Sequence, residues 1–413
     1  MSKLQELINK LCPNGVEFKP LGDISNLSRG KVYGKDYISE HRGEYPVFSS
    51  QTVNDGELGK IDTYDYDGFY LTWTTDGAYA GTIFYRQGKF SITNVCGLIS
   101  LKVNFINLKF LYYWLSIEAP KHVYYGMGNP KLMSNQMTSI MIPVPPIEVQ
   151  EEIVRILDSF SDYAAELQAE LQARKQQYEY YRNLLLTFNP SAYGCGTDDE
   201  QKDGVTTWAG HNYKIEWKKM GEIGTFIRGK RFVRTDIMEQ GVPCIHYGDM
   251  YTYYGLYTNN TPTFLKEEKA QKMRFAQKND IVIVAAGENK DDLGNAVAWL
   301  GEKPAAVHDA CFIFRSNLYP NYISHICRSH NYHKQIKMFA NEAKICSVSG
   351  QDLQKVLIPV PEYELQIKIA SILDRFETLV NDLTNGLPAE IAAVKDQYEY
   401  YRNKLLTFKK LTV

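Results

Sequence analysis

The chain has 413 residues, of which 44% are hydrophobic and 23% charged, and its formal net charge is −2 at pH 7. These values are typical of a soluble protein with two or three domains; they exclude a simple polycation but not a nucleic-acid binder that segregates its charges. No apolar run approaches a membrane span, no apolar signal core precedes Lys10, and the seven scattered cysteines indicate neither a disulfide framework nor structural zinc, so a cytoplasmic location is expected.

The first 145 residues predict a mixed α/β globular segment. Its opening, Val16 to Ile24, leads to the basic tripeptide Arg29-Gly30-Lys31. Apolar and aromatic runs between turn residues predict strands, and longer periodic runs predict helices. In chain order the predicted elements are a short helix over 1–11, strands over 68–73 and 81–85, a helix near 108–119, a polar loop over 126–135 and a strand running into Ile142-Pro-Val-Pro.

A long helix is predicted from about Val149 to Phe188, within residues 146–188. Pro145 and Pro146 mark its start and Asn189-Pro190 its end, because proline is tolerated only at the start of a helix. At 1.5 Å per residue it would extend roughly 60 Å. Its apolar residues recur at spacings of four and three, which is typical of a coiled coil, and they are Ile153, Leu157, Phe160, Ala164, Leu167, Leu171, Tyr178, Tyr181 and Leu185.

The second half of the chain repeats the first. Residues 189–212 are rich in glycine and charge and predict a flexible linker. A second globular segment over 213–357 opens with Ile215 to Ile223 and reaches Arg228-Gly229-Lys230. Its predicted elements are strands over 280–285 and 295–299, a helix over 322–340, a polar loop over 343–351 and a strand into Ile358-Pro-Val-Pro.

Residues 358–413 repeat the long helix. The end of this copy, Gln397 to Phe408, differs from Gln177 to Phe188 at one position. The second copy contains four additional residues, a stutter in the heptads, and Asn385-Gly-Leu-Pro388 predicts a kink or break there. We expect the helices to pair with each other; the alternative is that each packs on its own globular segment. The predicted interhelix seam comprises Ile153, Leu157, Phe160, Leu167, Leu171, Ile369, Leu373, Phe376, Leu383 and Ile391.

Several polar residues are candidates for contacting DNA. Arg228 to Arg234 place four cations in seven residues, as in a phosphate-contacting loop, and the amides of the two polar loops suit the edges of adenine. Solvated surface turns would have the same composition. The candidates are Arg29, Lys31, Thr75, Asp76, Asn129, Lys131, Asn135, Arg228, Lys230, Arg231, Arg234, Asn289, Lys290, Lys344, Ser347, Ser349 and Gln351.

Two other classes of function have weaker signals. Asp280, Glu288 and Lys290 have the spacing of a metal-dependent nuclease site, which would here be built on a coiled-coil scaffold. A pure interaction scaffold without a role on DNA is the other. His325, Cys327, His330 and His333 lie together on a predicted helix without a zinc-binding spacing, and no phosphate-binding loop or methyltransferase motif is present. The sequence therefore predicts no catalytic residue and no metal ligand.

The paired arrangement resembles the specificity subunit of bacterial type I restriction–modification systems. The resemblance rests on two globular segments that each precede a long helix ending Gln-Tyr-Glu-Tyr-Tyr-Arg-Asn-x-Leu-Leu-Thr-Phe, and it covers essentially the whole chain. The fold it implies is α+β: two mixed α/β target-recognition domains (1–145 and 213–357) and two long antiparallel coiled-coil helices (146–188 and 358–413), joined by a linker over 189–212 in a pseudo-twofold internal repeat.

The function implied by this resemblance is non-catalytic. Each globular segment would read one half of a bipartite site in double-stranded DNA, and the helices would act as a spacer and dock two modification subunits. Those subunits would bring S-adenosylmethionine, and restriction subunits bound through them would bring ATP- and Mg²⁺-dependent activity. The four-residue difference corresponds to about 6 Å of helix, near two base-pair rises. The first helix lacks the Gly-Leu-Pro break, so the halves are not strictly symmetric.

Overall fold

The chain forms two compact units. The computed structural model describes residues 3–126, 128–188, 204–208, 211–342, 345–382 and 384–411. One unit contains Met1–Gln168 with Glu390–Val413, and the other contains Ala169–Ala389. Each unit therefore combines one globular segment with parts of both long helices. No helix within the described ranges is long and apolar enough to cross a membrane.

The first globular segment is a sheet flanked by short helices. Its helices are α1 (Lys3–Leu11), α2 (Leu21–Ile24), α3 (Lys35–Glu40), α4 (Leu108–Glu118) and α5 (Ser134–Thr138), with 3-10 turns at Val53–Gly56 and Ala119–His122. Its strands are β1 (Glu17–Pro20), β2 (Ser25–Arg29), β3 (Arg42–Phe48), β4 (Glu57–Ile61), β5 (Tyr66–Thr74), β6 (Ile83–Ile92), β7 (Cys96–Leu101) and β8 (Met141–Val144).

One six-stranded sheet organises this segment, in the order β2-β7-β5-β6-β3-β4, and β1 pairs separately with β8. All neighbours are antiparallel except β3 and β6, which run parallel. Trp73 on β5 is fully buried, and its indole donates to the Leu132 carbonyl at 3.0 Å. The residues that follow β5 are thereby held beside the predicted polar loop.

The second globular segment is also built of short helices and strands. Its helices are α7 (Met220–Ile223), α8 (Asp249–Thr252), α9 (Glu267–Ala270), α10 (Pro320–Ile326), α11 (His330–Phe339) and α12 (Gly350–Lys355), with 3-10 turns at Arg234–Asp236 and Lys290–Asp292. Its strands are β9 (Gly204–Trp208), β10 (His211–Lys219), β11 (Gly224–Arg228), β12 (Ile237–Met238), β13 (Val242–Ile245), β14 (Tyr257–Thr258), β15 (Thr263–Leu265), β16 (Phe275–Ala276), β17 (Ile281–Val284), β18 (Ala286–Gly287), β19 (Ala296–Trp299), β20 (Ala305–Val307), β21 (Cys311–Ser316), β22 (Cys346–Ser347) and β23 (Leu357–Pro361).

The predicted linker over 189–212 includes one of these strands. β9 forms an antiparallel hairpin with β10, and β10 also pairs with β23. Val205, Thr206, Thr207 and Trp208 are residues that favour strands, so β propensity prevails over the glycine-rich surroundings. The rest of the predicted linker, except His211 and Asn212 in β10, lies outside the described residues.

The second segment divides its strands between two five-stranded sheets. Their orders are β11-β21-β17-β19-β14 and β12-β15-β13-β20-β16, and β18 pairs with β22. The single long strand β6 of the first segment corresponds here to β19 and β20. Gly301 and Pro304 lie between these two strands, and proline cannot donate to a sheet ladder. One sheet in the first segment therefore corresponds to two in the second.

The two long helices differ as predicted. The first is continuous, α6 (Ile147–Thr187), whereas the second is broken into α13 (Tyr363–Asn381) and α14 (Leu387–Leu405). At the break the Asp382 carboxylate accepts from the Thr384 amide at 2.7 Å and the Asn385 amide at 3.2 Å. A Cβ on Gly386 would lie 2.4 Å from the Thr378 carbonyl oxygen, so the chain can turn this tightly only with glycine. The predicted break is therefore confirmed.

Within the first unit the two helices run antiparallel. The Phe160 ring stacks on Tyr401 with centroids 5.4 Å apart, and the Tyr163 hydroxyl donates to Glu390 at 2.5 Å. Residue numbers rise along α6 while they fall along α14. In the second unit Phe376 of α13 stacks on Tyr178 and Tyr181 of α6, at 6.2 and 5.6 Å.

The seam is not purely interhelical. Ile153 and Leu157 are fully buried, but their cluster contains Phe110 and Tyr113 of α4 as well as Leu406. Both packing alternatives considered from the sequence therefore occur together. Of the other predicted seam residues, Leu167, Leu171, Ile369, Leu373 and Ile391 are buried, and Leu383 lies outside the described residues.

Candidate nucleic-acid interface

The Arg-Gly-Lys tripeptide of the first segment forms a loop at the end of β2. The Gly30 amide donates to the Cys96 carbonyl at 3.4 Å, and the Lys31 amide donates to the Ile92 carbonyl at 3.1 Å. The Arg29 guanidinium donates to the Asn94 carbonyl at 3.1 Å and to the Ser134 hydroxyl at 3.4 Å. Partial burial lowers the pKa of the Arg29 side chain below its ordinary value, and the nearby Asp76 opposes this shift.

The second tripeptide has the same backbone attachments. The Gly229 amide donates to the Cys311 carbonyl and the Lys230 amide to the Val307 carbonyl, both at 2.9 Å. The Arg228 guanidinium donates to the Asp309 carbonyl at 3.0 Å. The repeat seen in the sequence is thus a repeat of hydrogen bonds.

Both loops require glycine because of a close approach between backbones. A Cβ on Gly30 would lie 1.9 Å from the Ile92 carbonyl oxygen, and one on Gly229 would lie 2.1 Å from the His308 carbonyl oxygen. The glycine therefore lets a cationic loop pack directly on the strand end that precedes Cys96 or Cys311.

The predicted polar loop of the first segment joins this site. Asp76 and Lys131 form a β-bridge, and the Leu132 amide donates to the Thr75 carbonyl at 2.9 Å. Thr75 is buried, whereas Asn129 and Lys131 are exposed. We call the assembled residues 29–31, 75–77, 93–95 and 128–135 the first polar edge.

One feature of the predicted loop is corrected by the structure. Asn135 is not in a loop but in α5, which begins at Ser134. The Met133 amide donates to the Gln136 side chain at 2.8 Å, so a cap starts the helix there. Asn135 remains exposed at the first polar edge.

The matching residues of the second segment also meet. The Val348 amide donates to the Ala285 carbonyl at 2.9 Å, and Ser347 lies in β22, which pairs with β18. Gln351 lies in α12, not in a loop, because the Ser349 hydroxyl caps that helix by accepting from the Asp352 amide at 3.1 Å. We call residues 228–231, 285–290, 308–310 and 345–351 the second polar edge; Lys344 lies outside the described residues.

The cations of the two edges differ in how they are paired. Lys31 forms an ion pair with Asp65, and Lys290 forms one with Glu342. Lys230, Arg231 and Arg234 are exposed and form no ion pair with any described residue. Asn289 is exposed and caps a 3-10 turn by accepting from the Asp291 amide at 3.0 Å. The second edge and the adjoining Arg234 therefore offer three free positive charges to an anionic partner.

The structure does not support the nuclease alternative. The Asp280 carboxylate is buried and is held by the Arg315 guanidinium at 2.6 and 2.9 Å and by the Gln277 amide at 2.7 Å. Glu288 is exposed, and the Lys290 amine is engaged by Glu342. The structure therefore explains Asp280 as the buried partner of an arginine.

The histidine-rich stretch does not form one helix. The predicted helix over 322–340 is two helices, α10 and α11, because Ser329 caps the second. His325 is fully buried and lies 2.8 Å from the Asp374 carboxylate and 3.3 Å from the Tyr178 hydroxyl. Among the described residues no group of three or more His, Cys, Asp or Glu could hold a metal ion.

Three residues in or next to the second polar edge were missed from the sequence. His246 and Tyr247 follow β13, and the His308 amide donates to the Ile245 carbonyl at 3.2 Å, which brings all three together. Ser91–Cys96 and Ala306–Cys311 occupy corresponding places in the two halves of the sequence, and that correspondence could have pointed to His308. His246 and Tyr247 had no local signal.

Comparison with known proteins identifies the family. The family model described as type I restriction modification DNA specificity domain matches residues 13–174 and 213–393. A putative type I specificity subunit of Mycoplasma pneumoniae, S.MpnORF507P, is 31% identical over 385 residues, covering 93% of this chain and 95% of that protein. The chain therefore belongs to the type I restriction modification DNA specificity family, as the resemblance predicted.

Other comparisons agree. The type I restriction enzyme MpnII specificity subunit of the same species is 43% identical over 190 residues, 45% of this chain and 57% of that protein. The crystal structure of a type I restriction–modification S subunit from M. genitalium matches all of both chains with a TM-score of 0.55 at 15% identity. A second solved structure, from work on type I complex assembly, covers 96% of this chain and 98% of its own with a TM-score of 0.58 at 15% identity. These structures confirm the predicted α+β fold.

Proposed function

We propose that this chain is the non-catalytic DNA specificity subunit of a type I restriction–modification complex. The single observation that carries the proposal is the repeated polar edge: two globular segments hold an Arg-Gly-Lys loop through the same backbone hydrogen bonds but surround it with different side chains. A fixed cationic loop suits contact with the DNA backbone, which is the same in every sequence, and variable neighbours suit base reading.

Each globular segment reads one half of a bipartite site in double-stranded DNA. The candidate contacts are the exposed members of the two polar edges, among them Lys131 and Asn129 in the first and Lys230, Arg231 and Gln351 in the second. Lysine and arginine neutralise phosphates, and amides form paired hydrogen bonds with adenine. The long helices set the distance between the half-sites.

The repeated helix ends dock two modification subunits, through which restriction subunits join the complex. Tyr180 is 62% exposed and Tyr400 is 60% exposed, in stretches that are almost identical. Packing within the chain does not require exposed residues to be the same, so a shared partner is the simpler explanation. S-adenosylmethionine, ATP and Mg²⁺ act in the partner subunits, in the cytoplasm, and this chain binds no cofactor.

The test is methylome sequencing of a host that carries this chain with its modification subunit. The expected result is one bipartite motif with a fixed spacer and a modified adenine in each half. Adding or removing four residues in α6 is expected to change the spacer and leave both half-sites unchanged. An altered half-site with an unchanged spacer, or methylation without a bipartite motif, would contradict the proposal.

A binding experiment tests the role of the second edge. The double variant K230A/R231A, in the complex with modification subunits, is expected to weaken binding to all DNA sequences and to reduce the salt dependence by about one counterion per lost phosphate contact. K278A is the matched control, because Lys278 is already paired with Glu302. Equal effects of the two variants would show that the edge does not contact DNA.

A further inference from the structure

Three matched positions in or next to the polar edges differ sharply between the two segments. In the first segment β3 runs parallel to β6, with Phe48 opposite Ile92, and in the second β13 runs parallel to β20, with Ile245 opposite Val307. The next residues are therefore equivalent. They are Ser49, Ser50 and Thr93 in the first segment, and His246, Tyr247 and His308 in the second.

Backbone hydrogen bonds confirm this equivalence. The Thr93 amide donates to the Phe48 carbonyl at 2.8 Å, and the His308 amide donates to the Ile245 carbonyl at 3.2 Å. The carbonyl groups of Thr93 and His308 each accept, at 3.0 Å, from the cysteine that begins the following strand. The same backbone thus presents two unrelated sets of side chains next to the Arg-Gly-Lys loop.

In the first segment these side chains are small hydroxyls. The Thr93 hydroxyl donates to Ser49 Oγ at 3.2 Å, and Ser50 Oγ accepts from the Thr75 amide at 3.1 Å. Ser50 also donates to the Val95 carbonyl. These hydrogen bonds join the ends of β3, β5 and β7 into one compact floor for the first polar edge.

In the second segment the floor is aromatic, and hydrogen bonds fix one of its rings, His308. The rings of His246 and His308 lie 5.0 Å apart, and Tyr247 lies 5.4 Å from His308. His308 Nε2 donates to the Phe232 carbonyl at 3.1 Å, because a carbonyl can only accept, and Nδ1 then accepts from the Ala310 amide at 3.2 Å. Asp309 Oδ1 also lies 3.2 Å from Nδ1, so His308 is an oriented ring without a free nitrogen, and it holds its neighbours in place.

His246 and Tyr247 keep atoms free for a ligand. His246 Nδ1 accepts from the Gly248 amide at 3.2 Å, which leaves Nε2–H as a donor. Across the described parts of the chain neither His246 Nε2 nor the Tyr247 hydroxyl has a hydrogen-bond partner, and both residues are partly exposed. A donor and a hydroxyl therefore face out beside a cationic loop.

Burial favours the neutral form of both histidine rings, and the neighbouring carboxylates oppose it. Burial lowers the pKa of His246, with Arg234 lowering it further and Asp249 opposing. Burial also lowers the pKa of His308, Asp309 opposes, and His246 and Arg231 add to the lowering. Neutral His246 keeps its Nε2–H as a donor, which an acceptor on a base edge can match.

We propose that His246 and Tyr247 are specificity-determining residues on the base-reading floor of the second segment, that His308 positions them, and that Ser49, Ser50 and Thr93 occupy the same place in the first. The inference rests on the proposed function and adds the residues that distinguish the two half-sites. Rings and small hydroxyls differ in reach, so the same scaffold reads different bases.

The test replaces the second floor with the side chains of the first. The variant H246S/Y247S/H308T, in complex with modification subunits, is expected to change the base preference in one half-site, to leave the other unchanged, and to slow methylation of the original motif by about tenfold or more. The variant S49A/S50A is expected to affect the opposite half-site. H330S, which alters an exposed histidine at the start of α11, is expected to preserve both.

Three results would overturn the inference. They are an unchanged motif in H246S/Y247S/H308T, a change in the same half-site in both floor variants, and a change in H330S equal to that of the floor variant. If the triple variant does not assemble, Y247F and H246N decide, because each removes or moves one hydrogen-bonding group and retains the ring or its size. Absence of any bipartite motif with the unaltered chain would instead refute the proposed function.

Discussion

Replacing Gln150 with leucine tests how the first long helix is attached to its globular segment. Gln150 is fully buried near the start of α6. Its side-chain oxygen accepts from the Asn107 amide at 2.8 Å, and its amide group donates to the carbonyls of Phe105 at 2.9 Å and Pro145 at 2.7 Å. Leucine has a similar volume and forms none of these bonds, so three backbone groups lose their partner.

The second copy provides a matched comparison. Gln366 is 2% exposed; it accepts from the Tyr319 amide at 2.9 Å and donates to the Pro361 carbonyl at 2.8 Å. An unsatisfied buried group costs about 1–3 kcal/mol. Q150L leaves three backbone groups without a partner and Q366L leaves two. We therefore expect the free energy of unfolding of the affected unit to fall by about 3–5 kcal/mol in Q150L and by about 2–4 kcal/mol in Q366L.

Hydrogen exchange measured by mass spectrometry suits this prediction, because a chain with two units need not unfold in one step. Q150L is expected to lose protection in α4 and the first turns of α6, and Q366L in α10 and the first turns of α13. The control is Q172L at an exposed position of α6, with an expected change within about 0.5 kcal/mol. A loss below about 1 kcal/mol for Q150L, or a smaller loss than for Q366L, would refute the reasoning.

Three further predictions concern the second unit. Burial lowers the pKa of His333 to about 4, so the unfolded chain binds more protons than the folded chain below neutrality. The free energy of unfolding should therefore fall by about 2 kcal/mol from pH 7 to pH 5. In urea titrations the variant H333Q should show a flatter pH profile. R315A leaves the buried Asp280 carboxylate without its cation and should cost about 2 kcal/mol or more in the same assay, whereas E288A, at an exposed position, should leave stability unchanged. G386A should lower the melting temperature of the chain, because the new methyl group would lie 2.4 Å from the Thr378 carbonyl oxygen; an unchanged melting temperature would show that the break relaxes freely.

The parts of the fold that the sequence predicted are those with a local or repeated signal. The heptad spacing and the flanking prolines predicted the start of α6 to within two residues and its end to within one. Asn385-Gly-Leu-Pro388 predicted the break, since glycine and proline act on the backbone wherever they stand. Strand β9 was missed because its short run of strand-favouring residues lies among glycines and charged residues, and its pairing partner β10 comes later in the chain.

The candidate site was only partly predictable for a different reason. The Arg-Gly-Lys loops were visible because the tripeptide occurs twice, but their surroundings are assembled from strands that are distant in the chain. His246 meets His308 only because β13 runs parallel to β20. Asp280 and Glu288 suggested a nuclease by spacing alone, whereas Arg315, which engages Asp280, comes from another strand. Spacing describes neighbours along one element, while sites depend on neighbours across elements.

The two copies of the long helix also show how the same helix motif attaches to two different globular segments. The repeated motif Ile-Leu-Asp-x-Phe places Asp158 in α6 and Asp374 in α13. Asp158 accepts from Lys109 and Tyr113, both at 2.6 Å, and Asp374 accepts from Asn321 at 2.8 Å.

His325 completes the second pair, because its Nε2 lies 2.8 Å from Asp374. Lys109 and Tyr113 are four residues apart on α4, as are Asn321 and His325 on α10, so both pairs lie on one face of a helix. The carboxylate therefore needs two donors at that spacing and no particular residue. A globular segment can change its side chains widely and still attach to an unchanged helix, as long as its own helix supplies such a pair.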